Sequence, residues 1–205
     1  MDTDVPLPEK FRSVRLKAKD IELCRFSLAD VNATYQAWLQ DIETTRYLDV
    51  AFADRSISAL KEFVRSINAN PNRLFYKIVV NDTGEAIGTV NLKIDPVHHV
   101  GSYGYMIGER CWWGTGVAIQ AQVALFDFAF DSLGIRRFYG GAPIDNVMSH
   151  FNFKRLHFVK EGVFRSHVRA SPDSDKYQDV VYYGLMLEEW QSIRNKFNSY
   201  RYEGS

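Results

Sequence analysis

The sequence predicts an α+β fold in which a mixed sheet carries helices on its faces. Two observations predict it. Short segments alternate apolar and polar residues as strands do, and longer segments repeat apolar residues at helical spacing. The segments follow one another in the order β-α-α-β-β-β-α-β-α-β-β, and a terminal helix closes the chain. Strands and helices in this order within 205 residues are typical of one packed domain.

Each element has its own signal. The first helix begins behind Ser27 and Asp30, which form a capping-box-like start. The long helix between the fourth and fifth predicted strands is closed by Gly134. Residues 1–13 are expected to form a flexible arm, and residues 14–205 a single domain. The predicted strands are 21–26, 74–80, 87–94, 103–107, 138–142, 158–168 and 179–187. The first predicted helix begins near residue 31. The other predicted helices are 58–68, 117–132, 146–156 and 187–197.

Composition excludes several classes of protein. Lys and Arg number 25 and Asp and Glu number 25, so the chain lacks the basic surplus that nucleic-acid binding requires. The two cysteines, Cys24 and Cys111, form no Cys/His cluster, so we expect no metal ion. No apolar run approaches the ~20 residues of a membrane helix, and the first residues do not resemble a signal peptide. We therefore expect a cytoplasmic protein with no membrane partner.

The stretch from Gly104 to Ala118 carries the strongest functional signal. A predicted strand runs into Gly114-Thr115-Gly116, and this turn opens a helix. Glycines let backbone N–H groups approach a ligand, and a helix N-terminus attracts anions, so the pattern is typical of a pyrophosphate site. The same glycines are equally compatible with a tight strand-to-helix turn that binds nothing.

The turn resembles the acyl-CoA-binding core of the GNAT superfamily, whose pattern is Arg/Gln-x-x-Gly-x-Gly/Ala. It departs only at Cys111, which stands where Arg or Gln is usual. Further likenesses to RimJ/RimL-like members extend over nearly the whole chain: Trp38-Leu-Gln-Asp through Tyr47-Leu48, Ile87-Gly-Thr-Val, Asn146-x-x-Ser149, Phe158-x-x-Glu161-Gly162, Arg165-x-His167 and Glu189-Trp190. The resemblance implies a mostly antiparallel sheet, a splayed V-shaped cleft between its central strands, and acetyl-CoA as cosubstrate. It implies acetyl-CoA contacts from Met106, Ile107, Gly108, Cys111, Trp112, Trp113, Gly114, Thr115, Gly116, Val117, Ala118, Asn146, Ser149 and Phe153.

Transfer of an acetyl group to an amine requires a base and a donor for the developing oxyanion. His98 is the predicted base, with a loop histidine as the alternative. Glu109 is expected to order a water, although it also fits a solvated strand end. Asn146 is expected to bond the pantetheine or to cap a helix. Phe153 occupies the position where the resemblance implies a tyrosine general acid, so we expect the reaction to proceed without a tyrosine there.

The acceptor is the least specific part of the prediction. The stretch from Ile94 to Tyr105 is similar to acetyltransferases of bacterial surface-sugar pathways, so we expect a small-molecule amine on a nucleotide-linked amino-deoxysugar. Its expected contacts are Trp38, Tyr47, His98, Arg165 and His167, although Trp38 also fits a core position. A protein N-terminus, another small amine and a non-catalytic acyl-CoA-binding module are the alternatives. The oligomeric state is left open, with a homodimer as one option.

Overall fold

The computed structural model describes residue 11 and residues 13–203. Within this part of the chain it contains eight strands, which we number β1–β8. They are Leu16–Lys17, Ile21–Arg25, Arg73–Val80, Ala86–Asp95, Val100–Ile107, Arg137–Pro143, Val159–Arg169 and Tyr177–Met186. The α-helices α1–α6 are Ala33–Gln40, Ile42–Thr45, Ile57–Ala69, Val117–Ser132, Val147–Arg155 and Leu187–Ile193. Short 3₁₀ turns cover Leu28–Asp30, Asp49–Phe52, Arg110–Trp112 and Arg194–Tyr200.

All eight strands belong to one sheet, in the order β1-β2-β3-β4-β5-β6-β8-β7. Every neighbouring pair is antiparallel except β5 and β6, which run parallel. A parallel pair needs a crossover connection, and α4 supplies it between these two strands. The crossover places the start of α4 directly after the end of β5, at the centre of the sheet.

The two faces of the sheet bury two separate apolar clusters. The larger cluster lies under α4 and includes Leu125, Phe126, Phe138 and Trp190 among its fully buried side chains. The smaller cluster lies under α1 and α3 on the opposite face and includes Phe75, which contributes from β3. Alternate residues of the central strands therefore face different helices, which is why these strands read as nearly continuous apolar runs.

The predicted fold class is confirmed: the protein has a mixed, mostly antiparallel sheet with helices on both faces. Strand β1 and helix α2 were missed because elements of two and four residues leave no periodic signal. The predicted capping box is present, since the Ser27 N–H donates to Asp30 over 2.7 Å, but it starts a 3₁₀ turn. Asn32 caps α1 instead. The predicted terminal helix ends early, at Ile193.

The predicted N-terminal arm lies mostly outside the described residues. Phe11 is described, and its ring packs edge-on against Phe128 of α4, with centroids 5.9 Å apart. At this residue the chain therefore contacts the domain. Within the described ranges, the structure contains no helix that is both long and apolar enough to span a membrane.

Candidate active site

The central strands β5 and β6 separate soon after they begin to pair. Their pairing covers only three positions, from Val100 with Arg137 to Ser102 with Tyr139. Beyond them β6 continues to pair with β8, and β5 continues to pair with β4. Residues 103–107 of β5 therefore have an edge with no strand partner in the described part of the chain. The resulting V opens toward the end of β5, as the resemblance implied.

The glycine turn lies at this open end. Gly114 and Gly116 have φ values of +75° and +94°, which residues other than glycine rarely adopt. Gly116 is the N-terminal cap of α4, so the N–H groups of Val117 and Ala118 begin the helix without intrahelical partners. No other described group accepts them. The turn therefore presents free donors and the positive end of a long helix to a bound anion.

The residues around the glycines fix the shape of the turn. The Thr115 hydroxyl donates to the Trp112 carbonyl over 2.8 Å, and the Trp113 indole donates to the Ile107 carbonyl over 2.8 Å. Trp112 packs against the core, whereas Trp113 is exposed. Cys111 is also exposed. These contacts hold the turn to the end of β5, where Ile107 and Gly108 lie.

Glu109 follows β5 and is held by a residue from the other side of the sheet. The Trp38 indole N–H donates to the Glu109 carboxylate over 2.7 Å, and the Trp38 ring lies against Gly108. Trp38 is buried in the smaller cluster, so the core position was the better of its two interpretations. Next to it, Arg110 pairs with Asp41 beyond α1, and the hydrogen bonds from Arg110 and Thr44 lower the pKa of Asp41 to about 2.

Helix α5 forms the far wall of the V. Asn146 caps this helix, because its side-chain oxygen accepts the Ser149 N–H over 3.1 Å. Phe153 is buried and stacks on Tyr183 with ring centroids 4.5 Å apart, so it serves as core. The cap leaves the Asn146 amide nitrogen as the group able to contact a ligand.

Tyr105 was not singled out for its side chain, yet its hydroxyl spans the V. It projects from β5 and accepts a hydrogen bond from the Asn152 amide of α5. Burial raises the pKa of Tyr105, while hydrogen bonds from Asn152 and Ser149 partly oppose the shift. The phenol therefore remains protonated at neutral pH. The contact between Tyr105 and Asn152 has no local sequence signal, because the two residues are 47 positions apart.

A cavity of about 950 Å³ lies beside the V, on the sheet face covered by α1–α3. Its floor consists of β3, β4 and β5 residues that face away from α4. Aromatic side chains line it, namely Tyr47, Phe52, Phe63 and Tyr182. Cations line it as well, namely Arg46, Arg73, Lys93 and Arg169.

A segment between α2 and α3 bridges the cavity. The Tyr47 hydroxyl donates to the Asp145 carbonyl over 2.9 Å, which joins this segment to the loop between β6 and α5. Phe52 lies near Arg169 of β7, whose guanidinium carbon is 6.0 Å from the ring centroid. The bridge makes the site a pocket closed on one side. Tyr47 and His167, both predicted acceptor contacts, line this pocket.

Comparison with known proteins identifies the family. The sequence profile described as Acetyltransferase (GNAT) domain matches residues 20–159. The chain belongs to the GNAT family of acetyltransferases. It is also 30% identical over 182 residues to an uncharacterised N-acetyltransferase, p20, of Bacillus licheniformis, and the match covers 85% of this chain and 97% of that protein.

Solved structures share the fold of this GNAT protein. A GCN5-related N-acetyltransferase from Brucella melitensis matches with a TM-score of 0.78 and 18% identity, over 97% of this chain and 90% of that one. A RimL ribosomal L7/L12 alpha-N-protein acetyltransferase in complex with coenzyme A matches with a TM-score of 0.75 and 20% identity, over 86% and 99%. At these identities the structures establish the fold alone.

Membership of the GNAT family makes the protein an acyl-CoA N-acetyltransferase, which transfers acetyl groups from acetyl-CoA to small-molecule or protein amines. The cleft suits acetyl-CoA as the second substrate, because it combines an unpaired strand edge with a glycine turn at a helix start. In the described part of the chain, no group of three or more His, Cys, Asp or Glu residues could hold a metal ion.

Two predicted acceptor contacts lie away from the pocket. His98 is exposed in the turn between β4 and β5, and Arg136 donates to its carbonyl at the closed end of the V. The seven residue steps from Val100 to Ile107 span about 23 Å of strand, so the predicted base is a strand length from the glycine turn. Arg165 is exposed on β7 and does not line the pocket. The structure thus places both residues apart from the pocket.

Proposed function

We propose that this GNAT protein acetylates the amino group of a nucleotide-linked amino-deoxysugar. The observation that carries the proposal is the pocket beside the cleft, which has aromatic and cationic walls. Such walls suit a base and a diphosphate, since aromatic rings stack on bases and cations pair with phosphates. The hydrogen bond from Tyr47 to Asp145 favours a small acceptor, because it crosses the site where a long peptide would need an open groove.

We place acetyl-CoA in the V between β5 and β6. The N–H groups of Val117 and Ala118 would bind its pyrophosphate, because they have no hydrogen-bond acceptor in the described structure. The unpaired edge of β5 would accept the pantetheine along residues 105–108. This arrangement runs the pantetheine from the turn back along β5, so that the thioester lies beside Met106, which lines the acceptor pocket.

Glu109 is the proposed base, acting directly or through one water. The Trp38 indole occupies one carboxylate oxygen and thereby fixes the orientation of the group. The second oxygen is left to accept a proton from the bound ammonium, directly or through a bridging water, and the neutral amine that results attacks the thioester. A base held in place by a buried side chain has little orientational freedom to lose on the way to the transition state.

Tyr105 is the proposed proton donor for the departing thiolate. Its hydroxyl oxygen accepts from Asn152, so its own proton is free to be donated. It lies on the strand that would carry the thioester, two residues before Ile107. The contribution is expected to be modest, because a free thiol has a pKa of about 8.5 and leaves readily near neutral pH.

The proposal is tested by measuring thiol release from acetyl-CoA with a panel of nucleotide-linked 3-amino and 4-amino deoxysugars, free amino sugars and peptides. Mass spectrometry of the product identifies the acetylated nitrogen. We expect turnover with the nucleotide-linked sugars and little with peptides. Efficient acetylation of peptide N-termini, with no nucleotide sugar turned over, would contradict the proposal and favour a protein acceptor.

The role of Glu109 is tested on the best acceptor of that panel. Glu109→Gln keeps the shape of the side chain and should lower kcat about a hundredfold, while coenzyme A affinity measured by calorimetry stays within about twofold. Glu85→Gln, in the exposed turn before β4, is the matched control and should leave both quantities unchanged. A kcat of Glu109→Gln near that of the wild type would remove Glu109 from the reaction.

A further inference from the structure

Two cations lie directly opposite each other on the floor of the pocket. Arg73 begins β3, Lys93 lies near the end of β4, and the two residues are partners in the antiparallel pairing. Both line the cavity. Like charges at directly opposite positions destabilise a sheet, so this pair lowers the stability of the fold unless an anion binds between the two cations.

The surrounding protein neutralises the pair only in part. None of the ion pairs in the described residues includes Arg73 or Lys93. Asp95, the carboxylate nearest to Lys93 along β4, accepts the N–H groups of Val97 and His98, and it interacts with the Lys93 charge without forming an ion pair with it. Two carboxylates line the pocket, Asp49 and Asp54, and neither forms an ion pair with Arg73 or Lys93. Asp54 accepts the Ser56 N–H and hydroxyl.

The pair also lies at a defined distance from the reacting end of the site. Lys93 is paired with Ser102 of β5, and Met106 lies four residues further along that strand. Four residues of strand span about 13 Å. A molecule that fills the pocket can therefore place an amine near Met106 and Glu109 and a second group near Arg73 and Lys93.

We propose that Arg73 and Lys93 form a phosphate-binding subsite that holds the diphosphate of the acceptor. This inference rests on the proposed function and sharpens it, because it assigns the anion to the floor of the pocket and not to Arg165 of β7. The guanidinium and ammonium groups supply the charge-assisted hydrogen bonds that a diphosphate accepts. The bound anion also removes the repulsion between the two cations.

The test measures binding of uridine diphosphate and inorganic pyrophosphate by calorimetry. Coenzyme A is kept at saturating concentration throughout, so that neither probe binds at the glycine turn. We expect Arg73→Gln and Lys93→Gln each to weaken both probes at least fivefold, and the double variant at least thirtyfold, by loss of charge-assisted contacts. Lys61→Gln, an exposed cation of α3 outside the pocket, is the control and should bind as the wild type does.

Melting temperatures separate binding from folding. Neutralising either cation relieves the repulsion, so neither variant should melt below the wild type. Wild-type affinities in the double variant, or a loss of affinity in Arg165→Gln alone, would overturn the inference. If the double variant loses the probes but no nucleotide-linked amino sugar is acetylated, the subsite stands and the acceptor assignment falls.

Discussion

Replacing Gly114 by alanine tests whether the turn before α4 binds coenzyme A. Gly114 has a φ of +75°, and a Cβ atom built on it meets no other atom within 4 Å. The added methyl group therefore contacts nothing in the protein itself. If the pyrophosphate lies against this turn, the methyl group occupies the space that the ligand requires, and affinity falls while the fold is kept.

The stability cost of the substitution can be estimated from the backbone. A left-handed conformation costs an alanine about 1–2 kcal/mol relative to glycine. For a domain of this size each kcal/mol lowers Tm by about 2–4 °C, so we expect a decrease of roughly 2–8 °C. Gly84→Ala is the matched control, because Gly84 has a φ of +71°, also has nothing within 4 Å, and lies in the turn between β3 and β4.

Calorimetric titration with coenzyme A then separates the two variants. Both should lose similar stability, but only Gly114→Ala should bind coenzyme A at least tenfold more weakly, or ~1.4 kcal/mol. Equal affinities in the two variants would refute the placement of the ligand. Gly116→Val is a less clean probe, because a Cβ at Gly116 comes within 3.6 Å of the Tyr200 ring and changes that contact as well.

Three further predictions concern single side chains. Tyr105→Phe should lower kcat about tenfold without changing coenzyme A affinity, and an unchanged kcat would mean that the thiolate leaves without this proton donor. Phe153→Tyr should change kcat by less than tenfold and cost about 1–3 kcal/mol of stability, measured by urea denaturation, because the ring tip of Phe153 already lies against Gly140. At pH 8 iodoacetamide should label exposed Cys111 but not buried Cys24. Bound coenzyme A should slow the labelling of Cys111. Burial and Glu22 raise the pKa of Cys24 to about 11, so its labelling should appear only as pH approaches 11 or on unfolding.

Local sequence signals predicted most of the fold. Helix α4 has the predicted bounds, Val117–Ser132, because glycines flank an apolar run on both sides. The glycine turn was equally readable, since its residues are contiguous and the backbone geometry depends on them. Elements shorter than one period of a helix or strand could not be found in this way, and β1 and α2 are examples.

The separation of His98 from the glycine turn follows from the chain order alone. The glycine turn follows the C-terminal end of β5, whereas His98 precedes the N-terminal end of the same strand. The strand therefore separates the two by its full length, whatever the sheet order is. By contrast, the pairing of Arg73 with Lys93 depends on the register of β3 with β4, and that register is a long-range property without a local signal.

Phe153 and Tyr105 together explain how the cleft can lack a tyrosine hydroxyl on α5. Phe153 is stacked on Tyr183, and its ring tip is so close to Gly140 that even a Cβ there would lie 3.0 Å away. A tyrosine hydroxyl at this position would press into β6 and would not reach the cleft without a shift of the ring. Tyr105 brings a phenol to α5 from the opposite wall, where Asn152 holds it. The same proton donor can therefore be supplied by β5, which leaves the aromatic residue of α5 free to pack the core that keeps β5 and β6 apart.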